Sequence, residues 1–159
     1  MIYDECMTEI GRLRFILKED GTLRRILLND DLWSSFLGDK AVKQSTELGE
    51  PVRRQFQEYF SGDRKGFDLP VELRGTPFQQ EAWHALQRIP YGETQSYSEI
   101  AHSIGRPKAV RAVGHANAVN PIPIIFPCHR VIGKDRSLTG YAGGMDMKKQ
   151  LLQIEGAVV

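Results

Sequence analysis

Cysteine is scarce in this sequence: Cys6 and Cys128 are the only two among 159 residues. Two cysteines build no disulfide framework and suit a reducing compartment, so a cytoplasmic protein is expected. No apolar run approaches bilayer length, and the first residues lack the basic-then-apolar layout of a signal peptide, so no membrane partner is expected. Histidine is absent before His84, which leaves Cys6 without the companions of a zinc site. No metal and no cofactor are therefore expected. Internal repeats and low-complexity tracts are missing as well. Net charge is only +1, so no overall excess points to a polyanion.

The distribution of charge says more. Residues 88–149 carry nine Lys/Arg against four Asp/Glu, whereas residues 1–87 carry twelve against fifteen. The later part of the chain is the candidate face for nucleic acid. Scattered solvated charge is the alternative. With 41% hydrophobic and 26% charged residues, the composition is that of an ordinary globular protein.

Periodicity predicts an α/β chain in two parts. Residues 1–73 read as a small N-terminal α/β domain, a β-hairpin sheet plus helix. Alternation over Ile10 to Leu17, a turn at Glu19-Asp20-Gly21 and a second run from Leu23 to Leu28 form the hairpin. Asp30 to Leu37 suits a short helix, and Gly38 to Glu50 reads as a polar loop. Pro51 then starts a helix with Val52, Phe56, Tyr59 and Phe60 on one face. Phe67 to Leu73 reads as a further strand.

Residues 74–159 read as a mostly helical domain containing a helix-turn-helix. Thr76, Pro77 and Gln79 mark a capped helix start, and Ser96 with Glu99 marks another. Gly105 and Arg106-Pro107 stop that second helix, and Lys108 to Ala118 forms the next. Much of this last helix is small: Ala109, Ala112, Gly114, Ala116 and Ala118. Small residues permit close helix packing. They also let a backbone approach the minor groove, which is about half the width of the major one.

The stretch Asn120-Pro121-Ile122-Pro123-Ile124-Ile125-Phe126-Pro127-Cys128-His129-Arg130-Val131 is the centre of the chain. Its apolar run between prolines reads as a buried extended segment, and Pro127 fixes the backbone before a turn that exposes the sulfur. His129 offers a base for the Cys128 thiol and Arg130 a positive neighbour. An inert buried cysteine is the simpler alternative.

Pro127-Cys128-His129-Arg130-Val131-Ile132 closely resembles the active-site motif of the O6-alkylguanine-DNA alkyltransferases. Further blocks resemble that family in the same order: Arg74 to Gln80, Ile89 to Thr94, Arg111-Ala112-Val113-Gly114, Asn120-Pro121 and Gly140 to Gly144. A related class carries tryptophan at the cysteine position, from which Cys128 sets this chain apart. The resemblance implies single-use transfer of an alkyl group from O6-alkylguanine, and from O4-alkylthymine, in DNA to Cys128. It implies that His129 accepts the thiol proton through a water, and that Glu155 holds the imidazole. Tyr97 would donate to the departing base. Tyr141 and Pro123 would wall the alkyl pocket, backbone at Val131 and at Ala142 with Gly143 would read the guanine, and Asn117 would stand where some relatives carry a larger apolar residue. Asn120 would tie the helix-turn-helix to the active-site turn, a plain Asn-Pro turn being the alternative. Arg111 would enter the duplex and hold the gap of a flipped base, or else contact phosphate. Ala109, Ala112, Gly114 and Arg130 complete the expected DNA contacts. The implied partner is double-stranded DNA, bound by a monomer through the minor groove with the alkylated base flipped. Outside this family, a helix-turn-helix regulator with a sensing cysteine and a Cys-His hydrolase are the rivals. Label moving from alkylated DNA to protein separates them.

Overall fold

The computed structural model describes residues 1–157. It divides into a unit Met1–Leu73 and a second unit from Arg74 onward. No described helix is long and apolar enough to cross a membrane.

The first unit holds two helices and four strands, β1 (Ile2–Thr8), β2 (Gly11–Leu17), β3 (Leu23–Leu27) and β4 (Lys43–Gln44), which form one sheet in the order β3-β2-β1-β4. The predicted hairpin is β2 (Gly11–Leu17) with β3 (Leu23–Leu27), but a preceding strand, β1 (Ile2–Thr8), also pairs antiparallel with β2. Pattern reading misses β1 because Asp4, which is buried, interrupts its apolar side. The carboxylate is tolerated there because Arg53 and Gln44 bond to it. Asn29 caps α1 (Asp30–Leu37) by accepting from the Leu32 amide at 2.8 Å.

The segment expected as a loop over 38–50 holds two elements. β4 (Lys43–Gln44) runs parallel to β1, and α2 (Thr46–Phe60) begins five residues before Pro51 because Ser45 caps it. Pro51 lies inside α2 and forfeits a single bond to the carbonyl four residues back. The predicted face of Val52, Phe56, Tyr59 and Phe60 is buried. The strand expected over 67–73 reduces to one bridge, Leu23 to Val71. Pro70 supplies only a carbonyl to Leu23, so a full ladder cannot form.

The second unit opens with α3 (Pro77–Leu86) and α4 (Tyr97–Ser103), each started by the capping box read from the sequence. α5 (Val110–Ala118) starts two residues later than predicted, with no side-chain cap. Trp83 on α3 donates its indole N–H to the Ala116 carbonyl at 2.8 Å, which fixes α5 against α3. β5 (Gln95–Ser96) pairs in parallel with β6 (Val131–Ile132), and α6 (Met145–Ile154) closes the unit.

Residues 120–127 are not extended. Phe126 donates its amide to Ile122 at 3.0 Å, and Ile124 has a φ of 74°. The Asn120 side chain binds both ends of this loop, donating to the Phe126 carbonyl at 2.7 Å and accepting from the Ile122 amide at 3.0 Å. A compact turn thus satisfies the polar groups that a lone buried strand would leave unpaired.

Candidate active site

Cys128, His129 and Arg130 form one turn of 3-10 helix between the Asn120 loop and β6. The Cys128 amide donates to the Phe126 carbonyl at 2.8 Å, so the loop that Asn120 closes also sets the cysteine backbone. Asn117, on α5, donates to the Cys128 carbonyl at 3.3 Å. The sulfur is not presented to solvent as the sequence suggests: Cys128 is only 3% exposed. Burial pushes its thiol up to about 11, against smaller lowering effects from a hydrogen bond to Asn120 and the charge of Lys148. At neutral pH this cysteine is a thiol, and any chemistry at its sulfur needs a base to take the proton.

His129 is fully buried, with Nε2 at 2.8 Å from Glu155 Oε2. An ionised carboxylate only accepts, so Nε2 carries the proton and Nδ1 keeps its lone pair. Nδ1 is buried and has no hydrogen-bond partner among the described residues. The imidazole is therefore oriented from one side and free to act as a base on the other. Burial lowers the His129 pKa, and the Glu155 hydrogen bond and charge act against that shift.

Glu155 sits at the C-terminal cap of α6 and is itself buried. Arg130 holds it with two bonds, Nε to Oε1 at 2.8 Å and Nη2 to Oε2 at 2.9 Å, and gives a third to the Ile89 carbonyl at 2.7 Å. This corrects the reading of Arg130 as a DNA contact. Its guanidinium is occupied inside the unit, where it compensates the buried carboxylate that His129 depends on.

Sequence reasoning missed Lys148. It is fully buried on α6 and donates to three acceptors: the Val131 carbonyl at 2.7 Å, the Thr139 carbonyl at 3.1 Å and Thr139 Oγ1 at 3.3 Å. Burial lowers its pKa to about 8, and the neighbouring Cys128 opposes that shift. The available signal was spacing: Lys148 shares a helical face with the buried Leu151 and Leu152. Thr139 was missed too, and lies 2.6 Å from the Tyr97 hydroxyl.

A cavity of about 380 Å³ is lined by Tyr97, Gly114, Asn117, Ala118, Gly140, Tyr141 and Ala142. It thus brings together Tyr97, Gly114, Asn117, Tyr141 and Ala142 of the predicted set. Pro123 and Val131 are buried and not among its lining residues, and Gly143 is half-buried beside it. Arg111 and Ala112 are exposed on α5, with Ala109 half-buried at its start. A side chain at Gly114 would just touch the Tyr97 ring, at 4.0 Å.

Comparison with known proteins gives two family matches. Residues 77–157 match the 6-O-methylguanine DNA methyltransferase, DNA binding domain, and residues 1–73 its ribonuclease-like domain. The chain is 49% identical over 156 residues to the constitutive methylated-DNA--protein-cysteine methyltransferase of Bacillus subtilis (strain 168), covering 96% of this chain and 94% of that protein. It is 54% identical over 114 residues to the methylated-DNA--protein-cysteine methyltransferase of Methanosarcina acetivorans, covering 72% and 73%. The crystal structure of Mycobacterium tuberculosis OGT in complex with DNA superposes with a TM-score of 0.89 at 41% identity, covering 98% and 93%.

Proposed function

The chain belongs to the 6-O-methylguanine DNA methyltransferase family, and from that membership we propose that it repairs DNA by direct reversal, moving an alkyl group from guanine O6 to its own Cys128. The observation that carries the assignment of residues is the buried His129–Glu155 pair beside the buried Cys128, in which one imidazole nitrogen is held by a carboxylate and the other is left as a base.

The reaction follows from those groups. His129 Nδ1 takes the Cys128 proton, through a water as the family resemblance implies, and Glu155 stabilises the imidazolium that forms. The sulfur attacks the alkyl carbon, a carbon–sulfur bond forms, and the bond from carbon to O6 breaks. Its electron pair stays with guanine, and the Tyr97 hydroxyl donates a proton to the base as it leaves. The imidazolium proton then restores the phenol, so the thiol proton ends on guanine. Tyr141 and Ala142 line the cavity that receives the base. O4-alkylthymine is a second substrate of the same chemistry.

The base cannot react inside a duplex stack, so it is flipped out. α4 and α5 are the helix-turn-helix, and the exposed Arg111 holds the gap from the minor groove, where small residues on α5 permit close approach. The protein acts as a monomer, and its two free cysteines suit the reducing cytoplasm.

The test is transfer of labelled methyl from an O6-methylguanine duplex, with the adduct located by mass spectrometry. Cys128→Ser is expected to abolish transfer and to bind DNA normally. Labelled methyl on the serine variant would overturn the assignment.

A further inference from the structure

Resting on the reading that Tyr97 donates to the departing base, we propose that Thr139 is a positioning residue whose hydroxyl, ordered by the Lys148 ammonium, fixes the Tyr97 phenol with its proton directed into the base cavity. Hydrogen-bond polarity decides where the phenol proton points. Two hydroxyls 2.6 Å apart, Tyr97 Oη and Thr139 Oγ1, do not by themselves say which donates. Lys148 breaks the symmetry. An ammonium has three N–H donors and no acceptor. Lys148 Nζ has three acceptors within reach, the carbonyls of Val131 and Thr139 and Thr139 Oγ1, so each N–H has a destination.

Thr139 Oγ1 must therefore accept from Lys148. Its own proton then has Tyr97 Oη as its partner, because among the described residues Lys148 and Tyr97 are the two groups bonded to this hydroxyl. Were Tyr97 to donate to Thr139 instead, the threonine proton would be left without an acceptor in a partly buried site, which is unfavourable. Tyr97 Oη thus accepts, and its proton is the one hydrogen of the chain left over. Tyr97 lines the cavity, so that proton is available to whatever occupies it. Lysine donates to threonine, threonine to tyrosine, and tyrosine to the ligand. Cooperative polarisation along such a chain strengthens the last donor. Burial lowers the Lys148 pKa only to about 8, so the ammonium that orders the chain persists at neutral pH.

No proton need travel along the chain. Thr139 acts by orientation, and its loss leaves Tyr97 able to turn its hydroxyl elsewhere. Thr139→Val keeps the shape and removes the hydroxyl, whereas Thr139→Ser restores it. Single-turnover methyl transfer from an O6-methylguanine duplex is expected to slow about tenfold in the valine variant, the kinetic equivalent of one ordinary hydrogen bond. DNA affinity should stay unchanged, and the serine variant should transfer at the wild-type rate. In a Tyr97→Phe background, Thr139→Val should slow transfer no further, since the donor it orients is gone.

A wild-type rate for Thr139→Val, or the same loss with and without the Tyr97 hydroxyl, would overturn the inference. If the valine variant fails to fold, Thr139→Ala replaces it with the same expectations and the same cycle. Failure of the underlying functional reading looks different, because the wild-type protein would then carry no methyl on Cys128.

Discussion

At Cys128 two shifts act together: burial keeps the sulfur protonated, and burial keeps His129 unprotonated. A neutral thiol beside a neutral base avoids placing two separated charges in a site with almost no solvent. In the proposed mechanism the thiolate is made only as the imidazolium forms, with Glu155 in place to receive that charge. The sign of the pH dependence follows. His129 must be neutral to act, and its pKa lies below the usual 6.5, so transfer should hold steady down to that value and fall only at more acid pH. Glu155→Gln removes a contribution that raises the histidine pKa, so the acid limb should move further down. The plateau rate should meanwhile drop by about 100-fold, the low end for general acid–base catalysis. Rates measured from pH 4 to 8 per active site, counted by burst amplitude, check both. An acid limb that moves up in the glutamine variant would remove Glu155 from this role. At this scale the sequence made Cys128 and His129 visible, because nucleophile and base are adjacent. Glu155 came only with the family resemblance. Arg130 and Lys148 were misread or missed because a charged side chain looks the same in sequence whether it meets phosphate or a buried carbonyl.

The elements differ in how openly the sequence declares them. Thr76-Pro77 with Gln79, and Ser96 with Glu99, state helix starts through local hydrogen bonds, and both capping boxes form. β1 depends on a distant partner, Arg53, and the Asn120 loop on a side-chain bond to the Phe126 carbonyl six residues on, which no helix, strand or short-turn pattern announces. α5 combines both kinds of information. Its small residues are legible, yet whether they serve packing or groove approach depends on which face is covered. Ala116 is buried and Ala112 exposed, so the helix packs through one of its small residues and leaves another uncovered. Arg111, exposed beside Ala112, is a long cationic side chain available to a duplex. The extrusion role proposed for it makes a selective prediction. Arg111→Ala should slow repair of duplex DNA by at least about tenfold, corresponding to part of the few kcal/mol needed to unstack a base. Reaction with free O6-benzylguanine, which needs no extrusion, should proceed as in the wild type. Equal loss on both substrates would locate the defect in folding or in the pocket rather than in the duplex.

For the molecule as a whole, the reaction is a change of state that cannot be undone by its own side chains. A thioether at Cys128 has no thiol proton and offers no leaving group to His129, so titration should plateau at no more than one alkyl group per protein. The added carbon enters a turn where Cys128, His129 and Arg130 are all buried and where Asn117 and Asn120 fix the backbone on either side. Inserting bulk of this size into a packed site costs about 1–3 kcal/mol. For a chain of this length each kcal/mol lowers the melting temperature by about 2–4 °C, so methylation should lower it by several degrees, and a larger adduct by more. Packing is the source of this loss near neutral pH, because the unreacted sulfur is a thiol there and no ion pair with His129 is broken. Alkaline pH separates this packing effect from ionisation. The folded thiol pKa is raised from 9.0 to about 11, so the contribution of Cys128 to stability is complete below pH 9 and is lost as pH rises towards 11. The alkylated protein has no such group to titrate and escapes that loss. Melting curves of free and methylated protein should therefore lie furthest apart below pH 9 and converge between pH 9 and 11. Turnover beyond one equivalent would end the single-use claim. A gap that widens with rising pH would mean that ionisation of the buried thiol does not oppose the folded state.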